Sequence, residues 1–183
     1  MFFANSDTQI DLGAIAKGYC ADAIANVLIE NGIKSALIDL GGNVRTIGNK
    51  KGSTWRIGIQ DPDGVRGEYF GVLDISDKCV VTSGAYERYF IEDGKKYHHI
   101  IDPHTGYPAD SDITSVSIIA ADGAKADALS TAVYVLGVEK GLSLLNSDKY
   151  SDFGYIITDN NHKVYISENI DFEITNEKYL EVK

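Results

Sequence analysis

Between Asp11 and Gly32 the apolar residues Ile15, Tyr19, Ala23, Val27 and Leu28 recur at steps of three or four, and Gly32 closes the run. That period predicts an amphipathic helix with this stripe turned inward. The pattern then shortens. Ser35–Leu40 reads as a strand, Gly41 and Gly42 break it, and a second strand runs through Ile47, which predicts a hairpin. Short β-type runs follow at 54–60, 68–75, 79–82, 86–92 and 96–101, divided by Asp-Pro, Asp-Gly and Ser-Gly pairs. Such close spacing favours antiparallel meanders over crossover connections. A strand at 114–120 leads into a helix from about Gly123 to Leu136, stopped by Gly137, with a second short helix at 138–145. Strands at 154–158 and 164–167, around the turn "DNNHK", complete the prediction. The pattern is α+β, an antiparallel sheet covered by a few helices.

At 183 residues and 44% apolar content the chain suits one domain, 1–183, with one sizeable core. A net charge of −10 with no basic run argues against nucleic acid and anionic membrane surfaces as partners. Cys20 and Cys79 lack metal-ligand or redox spacing and read as buried free thiols, with a disulfide as the alternative. The opening "MFFANSDTQ" turns polar too soon for a signal peptide or a membrane span.

Three stretches carry candidate chemistry. "DLGAIAK" brings Asp11 and Lys17 to a helix N-terminus, a place that attracts phosphate, although an Asp cap with a solvated lysine explains the same residues. In "GAKADALSTA", Asp127 and Thr131 stand four apart on one helix face. A carboxylate and a hydroxyl so placed suit a hard cation such as Mg2+, or else a polar helix face. "YHHIIDPHTGYPA" holds three of the four histidines. His98 and His99 point to opposite faces of a strand, so only one can serve a given site, as a general base oriented by Asp102 or as a structural ring. Ser83, in "TSGAYERYF", sits between strands as a ligand contact or a turn residue.

With those motifs in place, the chain resembles the ApbE-type flavin transferases. The resemblance runs through "DLGAIAKGYCAD", "DLGGNVRTIG", "WRIGIQDP", "VVTSGAYERYF", "HHIIDPHTGYPA" and "ADALSTAVYVLG". It implies an ApbE-like, T-fold-like domain of which this chain is the C-terminal part. It also implies Mg2+-dependent cleavage of FAD, with transfer of FMN to a threonine or serine of an acceptor flavoprotein and release of AMP. By resemblance Asp11 and Lys17 contact FAD, the Ala14 carbonyl, Asp127 and Thr131 hold the metal, and His99 is the base. Ser83, Ile101 and Asp102 line the pocket, and His98 and His104 are structural or rim residues. Cys20 departs from the small aliphatic residue expected there. Family members are commonly exported and lipid-anchored, which makes an extracytoplasmic electron-transfer flavoprotein the first acceptor to consider. Two other functions fit the same residues: an FAD pyrophosphatase that uses water as acceptor, and a flavin-binding module without catalysis.

Overall fold

A computed structural model describes residues 2–182; Met1 and Lys183, the two ends of the expected domain, lie outside the described residues. In chain order the elements are α1 (Gly13–Glu30), β1 (Ala36–Asp39), β2 (Asn43–Ile47), β3 (Trp55–Gln60), β4 (Tyr69–Ile75), β5 (Cys79–Gly84), β6 (Tyr89–Glu92) and β7 (Lys95–His98). They continue with β8 (Ile113–Ala120), α2 (Gly123–Leu145), β9 (Gly154–Asp159), β10 (Lys163–Ile166), β11 (Asp171–Ile174) and β12 (Leu180–Val182). The α+β reading holds.

Seven strands form the main sheet in the order β1-β2-β5-β8-β9-β10-β12, and a three-stranded sheet has the order β11-β4-β3. Strand alternation divides the core between the two faces of the main sheet. Val81 pairs with Ile118 and Ile118 with Tyr155, and all three pack with Ala126, Leu129 and Val133 of α2. Their neighbours Val80, Ile119 and Ile156 turn the other way and pack on Ile57, Phe70 and Leu73 of the small sheet. Both faces of β5, β8 and β9 are covered, which explains their nearly continuous apolar runs. The apolar character of α2, sufficient in length and composition to cross a bilayer, serves this packing.

Several expectations change. The predicted stripe of α1 is largely open: Tyr19 is 65% and Val27 57% exposed, while Gly18, Ala21 and Ala25 are buried. Small residues win the inner face because α1 lies against α2 backbone to backbone; a methyl group on Gly18 would overlap the Gly123 carbonyl. β6 and β7 are shorter than predicted and pair only with each other, so His99 lies just past a strand end. The pairing of β10 with β12 is parallel. β11 and β12, absent from the sequence reading, are too short to show a period.

The two predicted helices at 123–136 and 138–145 stand as one element kinked at Gly137, whose φ of 77° favours glycine. Asp112 Oδ1 caps the second part by accepting from the Val138 N–H at 2.9 Å. Both cysteines are free, but only Cys79 is buried; Cys20 is exposed, because it lies on the open side of α1.

Candidate active site

α1 and α2 meet along a seam, and the candidate metal residues gather there. Asp127 Oδ2 accepts a hydrogen bond from the Gly18 N–H at 2.8 Å. In an α-helix that N–H serves the carbonyl four residues back, here that of Ala14. The Asp127 carboxylate therefore reaches the backbone of α1 one turn beyond Ala14, although 109 residues separate it from Gly18 in sequence (127 − 18). Glycine at position 18 is what lets the carboxylate reach the helix backbone.

Asp127 is buried, and desolvation pushes its carboxyl above the ordinary range. The Gly18 N–H, the charge of half-buried Lys17 and the Lys17 N–H act in the opposite direction. A nearby cation would complete that compensation. The next turn of α2 carries hydroxyls: Thr131 Oγ1 donates to the Asp127 main-chain carbonyl at 3.3 Å, and Ser83 Oγ lies 3.2 Å from Thr131 Oγ1 and 2.8 Å from Ser130 Oγ. No group of three His, Cys, Asp or Glu side chains suited to a metal occurs among the described residues. What the seam offers is a carboxylate, a carbonyl and hydroxyls, and this all-oxygen set fits Mg2+.

Asp11 behaves as the simpler reading expects. Its Oδ1 accepts from the Gly13 N–H at 2.6 Å, one position before the N-cap Leu12. The helix end therefore already carries a carboxylate, which makes it a weaker phosphate cradle than a bare terminus.

The histidines divide by their hydrogen bonds. The His98 Nε2 lies 3.1 Å from the Ala109 carbonyl and its Nδ1 accepts from the Ile100 N–H at 3.3 Å, so both nitrogens are engaged. Burial lowers its pKa, and its ring meets Tyr134 edge-on. His99 is exposed and has its Nδ1 3.2 Å from the Arg88 carbonyl. A ring nitrogen facing a carbonyl carries a proton, so in the neutral ring Nε2 is the nitrogen that keeps its lone pair, as a general base requires.

The loop after His99 is tightly closed. Ile101 bridges to Pro108, Asp102 N–H donates to the Tyr107 carbonyl at 2.9 Å, and Asp102 Oδ1 accepts from His104 N–H at 2.9 Å. Ile101 remains 47% exposed. Among the described residues no hydrogen bond joins this loop to the Asp127 group, so the candidates form two sets. Alongside the loop is a cavity of about 450 Å3 whose lining includes Tyr86, His98, Tyr107 and Tyr134. Tyr134 is the one residue of α2 in its lining, which includes neither Asp127 and Thr131 nor His99. Its volume is that of a small-molecule site.

Sequence reasoning missed Gly18. A glycine within a helix costs about 1 kcal/mol relative to alanine unless close packing requires it, and that was the available signal for Gly18.

The ApbE family profile matches residues 2–154. The FAD:protein FMN transferase of Treponema pallidum is 47% identical over 165 residues, which cover 85% of this chain and 46% of that protein. The protein of the same name from Klebsiella pneumoniae is 41% identical over 91% of this chain and 51% of its own length. The chain thus spans about half the length of these curated relatives. The crystal structure of the ApbE protein from Thermotoga maritima superposes with a TM-score of 0.74 at 37% identity, covering 92% of this chain and 52% of that one. Apo flavinyl transferase ApbE from Pseudomonas stutzeri gives 0.69 at 31% identity, covering 91% and 49%. With the profile match covering most of its length and this degree of identity to several relatives, the chain belongs to the ApbE family.

Proposed function

We propose that this chain carries the metal and base residues of an FAD:protein FMN transferase. The observation that carries the reading is the meeting of the Asp127 carboxylate with the α1 turn that bears Lys17 and Gly18, one turn of α2 before Thr131. Family membership and the relatives' names support the same activity.

The Ala14 carbonyl, Asp127 and Thr131 would hold Mg2+, which when bound supplies charge stabilisation to pyrophosphate oxygens. Lys17 adds a positive charge at the same place, and the neighbouring cavity has room for a ring system of the dinucleotide. His99 Nε2 takes the proton from a threonine or serine hydroxyl of the acceptor protein. That oxygen bonds to the phosphorus of the FMN half, the bridging P–O bond breaks, and AMP leaves with the bridging oxygen. The acceptor gains FMN less water.

The exposure of His99 favours one second reading: water can reach the same nitrogen, giving hydrolysis to FMN and AMP. One assay separates the two. The protein is incubated with FAD, Mg2+ and a candidate acceptor domain, and AMP and acceptor mass are followed. An acceptor heavier by FMN less water is the expected result; free FMN with unmodified acceptor means hydrolysis, and absence of both refutes catalysis. We propose further, from the resemblance alone, an extracytoplasmic, membrane-tethered full-length protein, for which respiratory flavoproteins are the acceptors to test.

A further inference from the structure

Asn43, the first residue of β2, is wholly buried, and neither its Nδ2 nor its Oδ1 has a hydrogen-bond partner among the described residues. Leaving such groups unmet carries their full desolvation penalty, so a buried amide of this kind calls for a partner.

The register places it. Asn43 lies opposite Val81 and shares the helix-facing side of the sheet with Arg45 on its own strand and with Cys79, Val81 and Ser83 on β5. On this floor Arg45 marks one end: it donates to the Ala121 carbonyl at 2.8 Å and lies 3.7 Å from Asp22 of α1. Ser83, bonded to Ser130, marks the other. Asn43 falls between them, where β2, covered by α1, adjoins β5, covered by α2. The seam above has the same order. The Gly123 N–H is bonded to Asp22 Oδ2 at 2.7 Å, Ser130 is bonded to Ser83, and Asp127 with the Gly18 N–H lies between.

We propose that Asn43 is a positioning residue for Asp127, its amide acting through a trapped water to hold the carboxylate in the orientation that receives the divalent cation. A neutral amide suits this task because it braces the carboxylate without adding a positive charge that would compete with the metal. The inference rests on the metal reading of Asp127.

The test is Mn2+ binding to the whole chain, followed by electron paramagnetic resonance, in the wild-type protein and in Asn43→Leu, Asn43→Ser and Asp127→Ala. Asn43→Leu is expected to weaken binding about ten- to a hundredfold, the usual effect of removing a support behind a metal ligand. The metal-free variant should still unfold in one cooperative transition, which shows that affinity and not the fold was lost. Asn43→Ser, which keeps a hydroxyl and leaves space for water, should recover most of the affinity. Binding by Asn43→Leu within about twofold of wild type overturns the proposal alone. A wild-type protein with no Asp127-dependent Mn2+ binding overturns the metal reading, and this inference with it. If Asn43→Leu does not fold, the Nδ2 amide resonances of the wild type decide: they should shift with Mg2+ and stay fixed in Asp127→Ala, and unmoved resonances in the Mg2+-treated wild type overturn the proposal.

Discussion

Asp127 Oδ2 takes the N–H of Gly18, a helix-interior donor, at 2.8 Å, and so joins α2 to the turn of α1 that carries Ala14 and Lys17. The carboxyl is buried and its pKa is raised chiefly by desolvation. In the metal-free protein a raised acid binds its proton more tightly folded than unfolded, so stability falls as pH rises from the ordinary carboxylate range to the raised value. Asp127→Asn keeps an oxygen for Gly18 while removing the charge. Its metal-free thermal midpoint should exceed wild type at neutral pH, and the difference should vanish once the pH falls below the ordinary carboxylate range. Mn2+ affinity should drop by more than about a hundredfold, because a ligand and not merely its support is lost. A variant that binds Mn2+ normally would remove Asp127 from the metal site.

The same seam depends on two glycines in contact. A Cβ on Gly18 would meet the Gly123 carbonyl, and one on Gly123 would lie 2.8 Å from the Gly18 carbonyl. Backbone cannot yield as a flexible side chain does, so Gly18→Ala must separate the helices. Overpacking of this kind costs about 1–3 kcal/mol, and urea unfolding measures it. Gly123→Ala should behave alike. The double variant should cost less than the sum of the two, since one separation relieves both clashes.

The legible part of this molecule was what short-range pattern controls. The Asp127 and Thr131 pair was readable because helix period alone puts residues four apart on one face, and the Gly137 break was readable because a stop signal is local. The buried face of α1 was not. Ile15 and Val27 have the period of a core stripe, yet the core chose Gly18, Ala21 and Ala25, a choice made by a helix that begins 93 residues after α1 ends (123 − 30). Asn43 escaped for a related reason: nothing local distinguishes a buried asparagine from one in a hairpin turn, and its place under the seam appears only with the register of β2 on β5.

His98 and His99 should separate experimentally. Removing the His99 ring, as in His99→Ala, should lower transfer to the acceptor by about a hundred- to ten-thousandfold, the range for a lost general base, with FAD affinity retained. An acceptor labelled at the wild-type rate by this variant would exclude His99 as the base. His98 is held neutral, chiefly by burial, with its pKa below the ordinary value. For such a group the stability contribution is full above the ordinary imidazole pKa and is lost as pH falls through the lowered one. Acidification below neutral should therefore loosen the segment around Ile100 and Ala109, seen as faster amide exchange there, and His98→Gln should flatten that pH dependence.

The two thiols give a further check on how α1 lies. Cys79 is buried on β5 with its Sγ 3.1 Å from the Ala120 carbonyl, and burial pushes its pKa up to about 11. Almost none of it is thiolate at neutral pH, and no reagent reaches it without opening of the sheet. Cys20 is exposed on the outer side of α1. Titration with a chromogenic disulfide should label one thiol per chain quickly in the folded protein, and peptide mapping should place it at Cys20. The second thiol should appear only with unfolding, at a rate that follows denaturant. Equal labelling of both under native conditions would mean that β5 is not held beneath α2, and that the seam carrying Asp127 is not formed as described.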